Sequence, residues 1–423
     1  MKPNISLWLA VCITVLISVS ARAAAPKLQV LHSFLGGNDG AGPEANLVSD
    51  ASGNLYGTTR SGGTNVDCLG IGQIGCGVVF ELSPPKFIGG VWKETIIYRF
   101  SGGADGAIPV AGLTFDRAGN LYGVTSEGGD LSVSGCTNGV SNLGCGVVFE
   151  LSPQSNGTWA ESVLHAFEDA ADGAYPAGNL MFDAAGNLYG TAQEGGDGHP
   201  CGNGCGTVFE LTPSGSQGWT ETTIYQFQGG LDGGIPQGGL TFDRVGNAYG
   251  TTSLGTIFEL TPPSQQGQPW TESVLAIFGE PEGTLIFDTS GNLYGASYES
   301  NGAPFGEVFE LSPAADGVWT ESTLYAFEQQ GSAYPEAGVT MDNAGNLYGT
   351  LSGKFCGAVY RLGKNEVGSW NEAELKFSKG NQGPCQSEAS LVFGKWGAVY
   401  GTSFAGGTCQ NHNDCGTVFA ILP

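Results

Sequence analysis

One stretch constrains this chain more than any other: Leu113–Gly123, LTFDRAGNLYG, recurs in recognisable form as Leu47–Gly57, Leu180–Gly190, Leu240–Gly250, Leu285–Gly295, Val339–Gly349 and Leu391–Gly401. Physically it reads as a β-hairpin. Leu113-Thr-Phe is a short strand with two apolar positions, and Leu121-Tyr-Gly starts the returning strand. Between them, in the Asp116-Arg-Ala-Gly-Asn120 turn, the aspartate can cap backbone N–H groups and Gly119 or Asn120 can take a positive φ. The last copy is the most altered, with Gly394 in the Asp position and Gly397-Ala398 in place of Gly-Asn. Tyrosine is kept throughout, as Tyr56, Tyr122, Tyr189, Tyr249, Tyr294, Tyr348 and Tyr400.

The hairpin sits in a longer cycle of four segments. A strand ending in phenylalanine (Phe34, Phe100, Phe167, Phe227, Phe278, Phe327, Phe377) leads through a Gly-rich crossover into the hairpin. A loop often bearing cysteines follows, then a strand of the type Gly77-Val-Val-Phe-Glu-Leu82, then a turn with Pro and Trp. Each segment type occurs seven times, giving 28 strands in seven groups of four. This predicts an all-β protein: a single seven-bladed β-propeller of four-stranded blades. The chain starts on the first segment type and ends on the Gly416-Thr-Val-Phe-Ala-Ile-Leu strand, so the N-terminal strand is expected to complete the last blade and close the ring. An open solenoid would leave both ends uncapped.

The phase also sorts loops onto faces. With the LTFD strand beside the axis, the Asp-Gly-Asn and Pro/Trp turns lie on one face, the bottom. The cysteine loops and the crossovers lie on the other, the top. Cysteines in local pairs are expected as disulfides: Cys68/Cys76, Cys136/Cys145, Cys201/Cys205 and Cys409/Cys415. Cys356 and Cys385 are left over, and the phase brings them to neighbouring positions on the top face, which predicts a fifth bond. The pairs lie in separate repeats and none is a CxxC, which argues against zinc.

Lys2, an apolar run from Leu7 to Val19 and Ala21-Arg22-Ala23 form a secretory signal, residues 1–23, leaving 24–423 as the propeller. Its removal leaves 13 basic against 40 acidic residues, a formal charge of −27. Such a charge repels phosphate backbones and anionic lipid, so nucleic acid is excluded as a partner, and no later apolar run is long enough for membrane insertion. A secreted monomer, extracellular or periplasmic, is expected.

The run P-x-x-x-L-x-F-D-x-x-G-N-L-Y-G followed by GG…GTVFELTP resembles the Gloeo/Verruco tandem repeat of secreted bacterial proteins. More distantly, P-x-G-x-x-x-D-x-x-G-N-x-Y is similar to NHL-type and gluconolactonase-like propellers. The closer resemblance implies export and, in many members, a C-terminal sorting anchor. This chain ends at Pro423 within a strand, where no anchor is expected.

Residues repeated in every unit are best explained by the repeat's own construction. Trp92, Trp159, Trp219, Trp270, Trp319 and Trp370, each followed two positions later by Glu, are expected to pack between blades, the Glu bonding to backbone. Departures from the repeat are better site candidates. The position after the crossover Pro reads Glu44, Val110, Ala177, Gln237, Glu282 and Glu336, and Glu388 aligns there in the last copy. Carboxylates Glu44, Glu282, Glu336 and Glu388, from blades adjacent around the ring, would converge at the axis, where solvation or a hard cation such as calcium would offset their repulsion. Asp39, Asp105, Asp172 and Asp232 stand in Asp-Gly crossovers of the top face, as turn residues or as groups for binding sugar hydroxyls. No GxSxG, HExxH or phosphate loop occurs, and no catalytic residue is assigned. The expected function is an extracellular binding or scaffolding module for a glycan or protein. The alternative is a metal-dependent hydrolase, lactonase or lyase with an acidic site at the axis.

Overall fold

Each hairpin closes on its aspartate. Asp116 accepts hydrogen bonds from the backbone N–H groups of Ala118 and Asn120 (both 2.8 Å), the Asn120 amide (2.9 Å) and the Tyr122 hydroxyl (3.3 Å). Gly119, rather than Asn120, takes the positive φ, at 91°. The D-x-x-G-N-x-Y run is therefore one hydrogen-bonded unit, repeated around Asp50, Asp183, Asp243, Asp288 and Asp342. In the seventh copy the Tyr400 ring fills the vacated space, and a Cβ on Gly394 would lie 2.2 Å from it.

The computed structural model describes residues 26–422 apart from 65–66, 71, 88–89, 134, 138–141, 170, 197–198, 216–217, 266–267, 301, 315–316, 329–332, 354–355, 378–382, 395–396 and 408–414. Seven antiparallel four-stranded sheets form a β-propeller, with five short extra strands and, among the described residues, no helix beyond 3-10 turns. Blade 2 shows the order outward from the axis: Thr114–Phe115, Leu121–Thr125, Val147–Pro153 and Trp159–Ala166. Blades 1 and 3 to 7 have innermost strands Val48–Ser49, Met181–Phe182, Thr241–Phe242, Pro281–Phe287, Thr340–Met341 and Val392–Phe393. The ring closes as expected: Lys27–Ser33 pairs antiparallel with Thr417–Leu422 as the outermost strand of blade 7.

The repeated residues build the seams between blades. The glycine of L-Y-G lets the third-strand phenylalanine reach inward, since a Cβ on Gly123 would lie 2.6 Å from Phe149 Cζ and 2.9 Å from Leu113 Cδ2. The phenylalanine ending the outermost strand meets the next blade's third strand edge-on at six seams, as in Phe34–Phe80 and Phe100–Phe149, both 5.1 Å between centroids, while Phe278 stacks on Phe309. Each Trp leans on the Tyr of the preceding blade, as in Tyr122–Trp219 (6.1 Å) and Tyr400–Trp92 (5.7 Å). Such pairs contribute about 0.5–1.5 kcal/mol beyond their burial. Near the axis the threonine after L-Y-G donates to the next blade's inner backbone: Thr191 to Gly238, Thr251 to Gly283, Thr350 to Ala389 and, across the closing seam, Thr402 to Ala45.

The glutamates of the Trp-x-Glu motif depart from expectation. They point into the seams, toward the preceding blade's outermost strand. Oε1 of Glu94, Glu161, Glu272 and Glu372 is buried there with no hydrogen-bond partner, backbone or otherwise.

Disulfides join Cys68–Cys76, Cys136–Cys145, Cys201–Cys205 and, between blade 6 and the crossover to blade 7, Cys356–Cys385. Cys409 and the signal segment 1–23 lie outside the described residues. No helix among the described residues is long and apolar enough to cross a membrane.

Candidate functional site at the propeller axis

The crossovers that deliver residues to the axis share one backbone device. The residue before the crossover Pro is left-handed: Gly42 (φ 67°), Ile108 (58°), Tyr175 (55°), Ile235 (57°) and Tyr334 (65°), with Gln386 (55°) in the same place before Ser387. For β-branched Ile108 and Ile235 this is strained, by roughly 1–3 kcal/mol each. Hydrogen bonds hold it. The N–H groups of Ile108, Tyr175, Ile235 and Gln386 donate to the carbonyls of Cys76, Cys145, Cys205 and Cys356, and Gly42 to that of Cys415. The cysteine just before the third-strand glycine thus fixes, in these five blades, the bend that aims the next residues at the axis. Blade 5 differs: its crossover is short, Gly283 is left-handed at 67°, and its innermost strand extends up to Pro281.

At the top of the axis these residues enclose a cavity of about 810 Å³. Glu44, Glu282, Glu336 and Glu388 all line it, joined by Glu127, Glu194 and Glu280, with Arg60 as the one cationic side chain among the lining residues. The charge is lopsided. Blades 5, 6, 7 and 1 supply Glu282, Glu336, Glu388 and Glu44, whereas blades 2, 3 and 4 supply Val110, Ala177 and Gln237 at the same position.

The acidic arc is electrostatically crowded. Burial, then Glu280 and Glu336, push Glu282 up to about 8. Burial, then Glu336 and Glu44, push Glu388 up to about 7 against the pull of Arg60. Burial also raises Glu336, and it raises Glu44 although Arg60 lies 3.6 Å away. Glu127, whose Oε2 is buried without a partner, is raised by burial too. Part of the arc therefore holds protons near neutral pH, and a cation entering it must displace them.

Two neutral groups at the cavity are committed to the fold. Asn46 Oδ1 accepts from the Ser390 N–H (2.8 Å) and Asn179 Oδ1 from the Gly112 N–H (2.7 Å), bonds that tie blades together. Gln193, Gln237 and Tyr298 line the cavity beside the carboxylates, so its ligand atoms are chiefly oxygens. No His or Cys is among the described residues that line the cavity, so this set suits a hard, oxygen-preferring cation.

The aspartates of the top crossovers stand elsewhere, beside the outermost strands. Each caps its own turn, accepting the N–H four residues back: Leu35 to Asp39 (2.7 Å), Ser101 to Asp105 (2.8 Å), Glu168 to Asp172 (3.0 Å) and Gln228 to Asp232. Asp105 also accepts from Tyr98 (3.1 Å) and Asp232 from Tyr225, while His165 Nε2 lies 3.1 Å from Asp172. Their carboxylates are engaged in building the rim.

Sequence reading did not select Arg60, Glu127, Glu194 or Tyr298. All follow the L-Y-G strand at its upper end, a position as close to the axis as the crossover and legible once that end is read with the same attention.

Residues 132–256 match the Gloeobacter/Verrucomicrobia repeat family. No curated protein matches the chain in sequence at a significant level. Among solved structures, virginiamycin B lyase from Staphylococcus aureus is similar at TM-score 0.56 and 12% identity, over 94% of this chain and 100% of that one. A PQQ-bound aldose sugar dehydrogenase from Streptomyces coelicolor gives TM-score 0.44 and 10% identity, over 94% and 99%. A structure assigned to the gluconolactonases gives TM-score 0.41 and 14% identity, over 84% and 95%. At such identities the likeness is one of fold. The chain is a seven-bladed β-propeller in which residues 132–256 match the Gloeobacter/Verrucomicrobia repeat.

Proposed function

We propose that this is an exported binding protein whose working site is the axial cavity. There Glu44, Glu282, Glu336 and Glu388 take up a hard divalent cation, calcium by preference, and present it to a small, oxygen-rich ligand of the glycan class. The observation that carries this reading is the acidic arc itself: four crossover carboxylates from consecutive blades share one cavity with a single arginine. A cavity of about 810 Å³ lies within the range that holds small molecules, roughly 300–1,000 Å³. The top hairpin of blade 4, residues 252–255, is short and leaves that side low. The disulfides fit an oxidising compartment.

A second reading is favoured by one observation. Glu282 and Glu388, at about 8 and about 7, lie near the pH where a carboxyl both gives and takes protons efficiently. That would suit a metal-assisted lactonase or lyase, in line with the lyase named among similar folds.

Calcium titration by calorimetry tests the site, with Glu282→Gln/Glu388→Gln as the comparison. The expected result is binding to the native chain that the double variant loses. Binding untouched by it, or no binding, overturns the proposal. A panel of sugar lactones and β-elimination substrates separates the readings: calcium-dependent turnover abolished by the double variant establishes the enzyme, and ligand binding without turnover the binding protein.

A further inference from the structure

Away from the axis, at the rim where the N-terminal strand of blade 7 meets blade 1, the fold gathers His32, Asp39 and Glu94. Among the described residues this is the one group of three His, Cys, Asp or Glu side chains whose ligand atoms all lie within 4.8 Å of one another. His32 Nε2 is 3.5 Å from Asp39 Oδ2 and 3.6 Å from Glu94 Oε1. Those separations are long for hydrogen bonds. They approach the edge of a coordination tetrahedron, because ligands about 2.0–2.1 Å from one zinc ion stand roughly 3.3–3.4 Å apart. His32 Nε2 and Glu94 Oε1 are both sealed from solvent, and neither has a hydrogen-bond partner. The ring is held edge-on against Phe34, with centroids 4.7 Å apart.

Equivalent positions in other blades serve as internal controls. At the seam of blades 2 and 3, His165 Nε2 closes to 3.1 Å on Asp172, and Glu221 accepts from the Thr223 hydroxyl at 3.1 Å. That trio is satisfied by its own hydrogen bonds. At the seams of blades 1 and 2 and of blades 3 and 4, tyrosine replaces histidine and donates to the aspartate, as Tyr98 to Asp105 and Tyr225 to Asp232. At the closing seam Ile96 stands where Thr223 stands in blade 3, so Glu94 has no neighbouring hydroxyl. It faces Asp39 and His32 instead. Two facing carboxylates and an imidazole nitrogen without a hydrogen-bond partner thus bring three ligand atoms to one point.

We propose that His32, Asp39 and Glu94 bind a first-row divalent transition metal, zinc fitting best, with water in the fourth position, and that this ion clamps the ring-closing strand to blade 1. One nitrogen and two carboxylates with an open fourth place match known zinc donor sets. The imidazole separates this site chemically from the axial cavity, whose ligand atoms are chiefly oxygens and which prefers harder ions. The three side chains are 19%, 20% and 15% exposed, so the cluster lies close to the surface, and a side-chain movement rather than unfolding would open its buried ligand atoms to an ion. The bound ion joins two elements far apart in sequence, and its binding energy adds to the stability of the closed ring.

The test uses untagged protein freed of metal by a chelator and titrated with zinc in excess calcium, which occupies any hard-cation site. The native chain is expected to take up a single equivalent of zinc, to melt at a higher temperature with it, and to give with cobalt the intense visible absorption of a tetrahedral centre. His32→Tyr installs the residue found at Tyr98 and Tyr225. It should melt like the native protein in chelator, yet bind zinc on the order of 100-fold more weakly and lose the cobalt spectrum. Glu94→Gln provides a second variant should His32→Tyr misfold, with the same expected loss. The inference fails if the native chain takes up no zinc, or if uptake and spectrum survive these substitutions.

Discussion

Tyr360 offers a sharp energetic test of how the blades are packed. Six blades place phenylalanine at the centre of the third strand, as Phe80, Phe149, Phe209, Phe258, Phe309 and Phe419, all fully buried. Blade 6 places Tyr360 there, also fully buried, and its hydroxyl has no hydrogen-bond partner. Its Oη lies 2.3 Å from where a Cβ on Gly349 would be, so the extra atom points into the second strand. Burial, with the nearby Glu372, keeps the phenol firmly protonated. The hydroxyl thus carries a desolvation cost of about 1–3 kcal/mol with no bond to offset it. Tyr360→Phe removes the cost and leaves a ring that six other blades accommodate, so the variant should be more stable by about 1–2 kcal/mol. Denaturant unfolding reads this as a higher midpoint at unchanged slope. An equal or lower midpoint would show that the hydroxyl has a partner, and would refute the reasoning.

Other expectations follow from the same geometry. Glu282 and Glu388 rise from an ordinary 4.5 to about 8 and about 7 on folding, so between about pH 4.5 and 8 the folded state holds protons that the unfolded state has lost. Without divalent ions, stability should fall as pH rises through that window, and Glu282→Gln should flatten the fall; thermal melts at pH 5 and 8 in chelator check both. By the same linkage calcium affinity should increase from pH 5 to 8, and an affinity independent of pH would mean that the acidic arc is not the binding site. Asp183→Ala removes the carboxylate that accepts from Gly186, Asn187 and Tyr189 and should cost about 1–3 kcal/mol in unfolding experiments while leaving calcium affinity unchanged. Gly123→Ala would set a Cβ 2.6 Å from Phe149 and should cost about 1–3 kcal/mol or more, seen as a lower unfolding midpoint.

What the sequence made legible follows from period and phase. A seven-fold hairpin with a fixed Asp, Gly, Asn and Tyr defines its turn chemistry locally. The offset between first and last strands specifies ring closure without any knowledge of contacts, and the same phase paired Cys356 with Cys385. It also brought four glutamates to one cavity, because every crossover ends at the same height on the axis. What stayed hidden depends on three-dimensional detail. The left-handed Ile108 and Ile235 are poor candidates for that conformation by residue type, and only the carbonyls of Cys76 and Cys205 make it tenable. The aspartates of the top crossovers read either as turn residues or as ligand groups, and the cap reaching back four residues, which decides for the turn, is invisible until the turn is built. Glu94 belonged to a repeated motif and read as construction. Glu221 also faces a histidine across its seam, so the difference lies in one neighbour, Ile96 in place of Thr223.

A crystal structure at pH 8 in saturating calcium tests the central claim most directly. The expected result is an ion in the axial cavity with oxygens of at least three of Glu44, Glu282, Glu336 and Glu388 at about 2.3–2.6 Å. A cavity holding only ordered water under those conditions, with the four carboxylates turned apart, would contradict it.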